Sequence, residues 1–174
     1  MHARITLLLA LLLGAAPAAL AQTVLSDNAN ASVTARVVSD ISVTKDADVS
    51  FGNVPDNSTP ILDPNDPTGA STDVGGAAQV GEFSIGGSQG AVVIVTFGSA
   101  TLSDGASHTM TFTPKVVGHA NAANQSSAPQ ILNNGEITLG ASGYHVWLGG
   151  NLGTLSDQEP GLYTGTFTLT AEYK

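Results

Sequence analysis

Tyr163-Thr164-Gly165-Thr166-Phe167-Thr168-Leu169-Thr170-Ala171-Glu172-Tyr173-Lys174 alternates without interruption. Odd positions carry Tyr163, Gly165, Phe167, Leu169, Ala171 and Tyr173, while even positions carry four threonines, Glu172 and Lys174. Successive side chains of a strand point to opposite faces, so a period of two predicts a strand from Tyr163 onward with one buried face. Phe167, Leu169 and Tyr173 then enter a core, and the threonine ladder meets solvent. A chain ending just after such a strand places its carboxylate at the end of a sheet.

The N-terminal half of the chain repeats the pattern. From Leu25 the odd positions read Leu25, Asp27, Ala29, Ala31, Val33, Ala35, Val37, Ser39, Ile41 and Val43, with mostly polar residues between them. At about 3.3 Å per residue this is longer than one ordinary strand. It divides into a unit over 31–38 and another over 40–45. Further short strands are expected at 49–54, 79–85, 91–97, 108–117, 131–132, 137–139 and 144–148. The run Val92-Val93-Ile94-Val95 is apolar on both faces and therefore belongs in mid-sheet. Residues 56–76 hold Pro60, Pro64, Pro67 and several glycines, and read as a loop with at most a short hairpin at Ile61-Leu62. Residues 121–130 read as a loose loop, and Gly149-Gly150 as the end of a strand. Turn-punctuated short strands without intervening helices describe an all-β sandwich.

Composition sets the compartment. His2, Arg4, the apolar run from Ile5 to Leu13 and Ala19-Leu20-Ala21 form the basic, hydrophobic and cleavage regions of a secretory signal peptide. Residues 1–21 are then removed, leaving a secreted chain from Gln22 with no integral membrane segment. There is no cysteine, so no disulfide staples the fold. Loss of Arg4 leaves Arg36, Lys45, Lys115 and Lys174 against 14 acidic residues, a net charge of −10. Such a surface repels nucleic acid and anionic lipid.

Catalytic chemistry finds no constellation. His108, His119 and His145 lie in separate segments without metal-ligand spacing, and no G-x-S-x-G motif occurs. Gly86-Gly87-Ser88-Gln89-Gly90 lacks the lysine of a phosphate loop. Asp56, Asp63, Asp66 and Asp73 do not follow a calcium-loop spacing, and aspartate is a common turn residue. No cofactor or metal is expected, and no enzymatic activity. Tyr144, Trp147 and Phe167 could face a sugar, although core packing is the commoner use of a large aromatic in a strand. An outer-membrane barrel would need aromatic girdles, which a chain with 5% aromatic residues does not supply.

Both ends of the mature chain resemble a known family. The run from Ile41 to Val54, containing Val49-Ser50-Phe51-Gly52-Asn53-Val54, resembles the opening signature of a secreted bacterial family catalogued only as a domain of unknown function. Leu148-Gly149-Gly150-Asn151-Leu152 and Gln158 to Phe167 resemble its closing signature. That family is similar to the spore coat protein U group of archaic chaperone-usher pilins, whose cysteines this chain lacks.

The resemblance implies an immunoglobulin-like β-sandwich lacking one strand, completed by the N-terminal extension of the next subunit. It also implies a periplasmic chaperone that grips the C-terminal carboxylate, and an usher. Under this reading residues 22–38 are the donor extension and 39–174 the pilin-like domain. Leu25, Ala29, Ala31, Val33, Ala35 and Val37 are the donor side chains, with Leu25, Val33 and Val37 as anchors. Tyr163, Phe167, Leu169 and Tyr173 form the groove wall and chaperone-bound edge, and Lys174 carries the anchoring carboxylate. Burying each large aliphatic is worth roughly 1.5–3 kcal/mol, so such a strand contributes on the order of 10 kcal/mol before ordering entropy is subtracted. The expected function is a structural subunit of a fimbrial fibre at the bacterial cell surface, a homopolymer. The alternative is a monomeric secreted or surface domain that binds a glycan or a protein.

Overall fold

The computed structural model describes residues 31, 32 and 34–174. They divide into a first unit ending at Ala35 and a second unit, Arg36–Lys174. The signal-peptide reading and Leu25, Ala29 and Val33 lie outside the described residues.

The second unit is a β-sandwich of two antiparallel sheets. Its strands are β1 (Ser42–Ala47), β2 (Ile61–Leu62), β3 (Gly81–Gly86), β4 (Val92–Phe97), β5 (Ala100–Ser103), β6 (Thr109–His119), β7 (Gln130–Ile131), β8 (Gly135–Thr138), β9 (Tyr144–Asn151) and β10 (Leu169–Tyr173). The larger sheet runs β1-β3-β9-β6-β5, with β2 added to β9 and β7 to β6; the smaller is β10-β4-β8. As its doubly apolar sequence requires, β4 is the central strand of the smaller sheet, and Val93 and Val95 are fully buried. The main core joins them to Ile85, Phe112, Val146 and Leu148 of the facing sheet.

A second, smaller core lies on the outer face of the larger sheet. Val116 pairs with Leu148 and faces the sandwich interior, so the next pair, Val117 and Trp147, points outward. There it packs with Leu62, Val80 and Ala128. The loop carrying Leu62 is fastened over it. Asn65 Nδ2 donates to the carbonyls of Gln125 and Ala128 at 2.9 Å, and Gln125 Nε2 donates to the Pro64 carbonyl at 2.8 Å.

Several sequence expectations need correction. Residues 121–130 include a 3-10 helix, Ala122–Ser127, whose N-cap Asn121 accepts from the Ala123 N–H. Strand β5 was not anticipated. The stretch 49–54 is no strand: Ser50 makes one bridge to Gln79, and Gly52, at φ +66°, turns the chain away. Ala31, Ser32 and residues 34–40 belong to no strand. Strand β9 continues through Gly149 and Gly150 to Asn151, because the absent side chains admit close neighbours. A Cβ at Gly149 would collide with the Leu62 carbonyl, and one at Gly150 with the Thr113 carbonyl.

The C-terminal stretch alternates as read, but its ladder begins only at Leu169. Thr164 bridges Ser103 of β5 in the larger sheet, whereas Leu169 pairs with Phe97 of β4 in the smaller. The chain therefore crosses between sheets over 165–168, and a crossing segment cannot hold a continuous ladder. Thr164, Thr166, Thr168 and Thr170 are all exposed.

Candidate functional site

The edge strands β1 and β10 lie beside each other and run in opposite directions. Ser39, Ser88 and Tyr173 meet at one end; at the other, the chain leaves β1 through Asp48, while Thr164 lies across the larger sheet, bridged to Ser103 of β5. At that second end an open groove of about 850 Å³ separates the segment 45–54 from the segment 160–167.

Its floor is apolar. Phe83 comes from β3, Met110 and Phe112 from β6, Leu148 from β9, and Leu102 from β5. Each occupies an inward position of its strand; Phe112 and Leu148 are buried, while Phe83, Leu102 and Met110 are only partly covered. Phe167 reaches this floor from the crossing segment, 6.1 Å from the rings of Phe83 and Phe97 and 6.2 Å from that of Phe112. Phe51 meets Phe112 edge-on at 5.9 Å from the opposite wall. Such tilted and edge-to-face pairs hold an aromatic floor in place. Tyr163 fixes the rim: its hydroxyl donates to the Glu159 carbonyl at 2.9 Å and accepts from Gln158 Nε2 at 2.8 Å.

The expected wall residues separate. Tyr163 and Phe167 line the groove and are half-buried. Leu169 is buried in the core behind it. Tyr173 and Lys174 line a different cleft of about 450 Å³ at the other end, together with Arg36 and Val38. The Lys174 N–H donates to the Val92 carbonyl at 3.1 Å, and its ammonium lies 2.7 Å from Glu136. Of the expected donor residues, Ala31 and Ala35 are exposed and Val37 is 94% exposed.

Sequence reading missed Phe83, Met110 and Phe112 as groove residues. Their alternation marks them as core, but carries no sign of which part of the core stays uncovered. Trp147 is 4% exposed and belongs to the smaller core, so it offers no face to a sugar. Tyr144 is half-buried, its hydroxyl donates to the Gly118 carbonyl at 3.0 Å, and burial raises its pKa.

The acidic turn residues have structural partners. Asp73 accepts the Thr59 N–H, Asp66 accepts the Gly69 N–H, and Asp63 lies 2.8 Å from the Lys115 ammonium. Among the described residues no group of three acidic or histidine side chains is placed to hold a metal. Nor is any helix among them long and apolar enough to cross a membrane.

No curated protein matches the chain. Over residues 41–173 it matches the family described as a domain of unknown function, DUF4402, and the chain belongs to that family.

Proposed function

We propose that the protein is a non-enzymatic structural subunit of a secreted, cell-surface fibre, in which residues 22–38 of one copy fill the groove of another. The observation that carries this reading is the apolar groove between the segments 45–54 and 160–167, where Phe83, Leu102 and Met110 of the core are only partly covered. An extended segment with alternating apolar residues suits such a site, because main-chain hydrogen bonds supply affinity and alternate side chains fill the floor. Residues 29–37 offer small side chains at alternate positions, and Val37 stands unpacked at the root of the segment. The resemblance to the spore coat protein U group supports the same reading, and with it a periplasmic chaperone and an usher as partners.

The volume alone is also that of a small-molecule cleft, which runs from about 300 to 1,000 Å³. The alternating apolar residues of the segment 29–37 favour a peptide over a compact ligand. The test is size analysis of the mature chain beside a version lacking residues 22–38. Denaturant-resistant oligomers of the former, and a truncated form that binds a synthetic 31–38 peptide instead of polymerising, support strand exchange. A stable full-length monomer that merely unfolds on truncation overturns it in favour of a monomeric binding domain.

A further inference from the structure

Met110 carries the only sulfur of the chain besides Met1, since there is no cysteine. It sits near the start of β6, directly across from Leu102 of β5. Thr109 and Thr111 on either side of it are exposed, so Met110 shares the inward face of the strand with Phe112. The two differ in cover: Phe112 is 2% exposed, whereas Met110 is only partly covered and lines the groove.

The wall beside Met110 is held by one bridge. Ser103 and Thr164 exchange two hydrogen bonds of 2.9 Å, one residue along β5 from the Leu102–Met110 pair. A Cβ at Gly165 would collide with the Thr101 carbonyl and with the side chain of Leu102. The wall therefore rests on Leu102, and Met110 remains part of the groove lining.

An accessible thioether in an apolar site has a chemistry that its leucine and phenylalanine neighbours lack. A peroxide oxidises it by two electrons: the peroxide O–O bond breaks, one oxygen joins the sulfur as a sulfoxide, and the other leaves as water or an alcohol. The flexible apolar side chain becomes a polar one, a change that disrupts methionine-containing interfaces and that methionine sulfoxide reductases undo. In the empty groove water satisfies the new oxygen. Under an inserted strand it is buried against apolar side chains, where an unpaired acceptor is costly. The N–H groups of such a strand point sideways to neighbouring strands rather than down to the floor.

We propose that Met110 is an oxidation site that controls filling of the groove. The thioether admits residues 22–38 of a second copy, the sulfoxide opposes them, and a groove already filled shields the sulfur. Oxidant therefore acts before assembly and not after it. The inference rests on the strand-exchange reading above.

The experiment treats the mature chain with dilute hydrogen peroxide, before or after polymerisation, beside Met110→Leu handled identically. Mass spectrometry is expected to find one added oxygen on Met110 of the unassembled chain, with uptake about tenfold slower in the polymer. Prior oxidation is expected to slow assembly by about tenfold, and enzymatic reduction of the sulfoxide to restore the rate. Met110→Leu, whatever its own rate, is expected to keep that rate after peroxide. A Met110 that stays a thioether in the unassembled chain, an oxidised chain that assembles at the untreated rate, or Met110→Leu slowed as much by peroxide overturns the oxidation control while strand exchange stands. So does an oxidised chain that circular dichroism shows to be unfolded, because the loss then belongs to the core. If the untreated chain does not polymerise, strand exchange falls and the oxidation control falls with it.

Discussion

The hydroxyl of Tyr173 donates to the Ser39 carbonyl at 2.8 Å and accepts the N–H of Ser88 at 2.9 Å. One phenol thus fastens the last strand to the point where the chain enters the first. The neighbouring glycine, Gly87, makes room for it, since a Cβ there would collide with that hydroxyl and with Leu139. Tyr173→Phe keeps the ring and removes both hydrogen bonds. The expected loss is about 1–2 kcal/mol, read from the midpoint of urea unfolding at unchanged slope. An unchanged midpoint would show that water replaces the phenol at no cost.

Tyr173 also shows what the sequence makes legible. Its alternation with Glu172 and Lys174 places it on the inner face, and Leu169 and Ala171 follow the same rule. The central position of β4 follows in the same way from Val92 to Val95, although only Val93 and Val95 are fully buried and Val92 and Ile94 are half-buried. The crossing at 165–168 is not legible, since a chain that changes sheets keeps its alternation while losing its ladder. Nor is the groove: Phe83 and Phe112 read alike as core, yet Phe112 is buried and Phe83 only partly covered. The 3-10 helix escaped because Asn, Gln and Ser serve short helices and loops equally.

Gly149 and Gly150 read as the end of a strand yet lie inside β9, where they let neighbouring backbone approach. Gly149→Ala drives a methyl group toward the Leu62 carbonyl and Pro64. Overpacking of this kind costs about 1–3 kcal/mol. Loss of stability with faster amide exchange in the 60–64 loop is the expected result. A stable variant with unaltered exchange would mean that this loop gives way freely.

Trp147 is expected to behave as a core residue. Trp147→Ala should cost about 3–5 kcal/mol, enough to unfold a marginal domain, with Trp147→Phe considerably milder. Thermal unfolding followed by circular dichroism separates this from a ligand role. A folded Trp147→Ala variant of near-original stability would put the side chain outside the core.

The pair Asp63–Lys115 fastens the acidic loop to β6 and gives stability a pH dependence. Burial pushes the Asp63 carboxyl up, but the hydrogen bond from Lys115, the N–H groups of Asn65 and Asp66 and the nearby ammonium outweigh it, so its pKa falls below 3.8. A carboxyl whose pKa is lower in the folded than in the unfolded state contributes stability above the unfolded value. That contribution is lost as pH falls through the folded one. Lys115 is 38% exposed on its side chain, so the pair is worth only about 1 kcal/mol. Asp104, held low by the His108 side chain and the Ala106 N–H, adds a pH dependence of the same sign. Asp63→Asn should therefore be less stable than the unaltered chain at neutral pH, and the gap should close well below pH 3.8. Urea unfolding at both pH values measures it. A gap of equal size at both would assign the loss to hydrogen bonding rather than to charge.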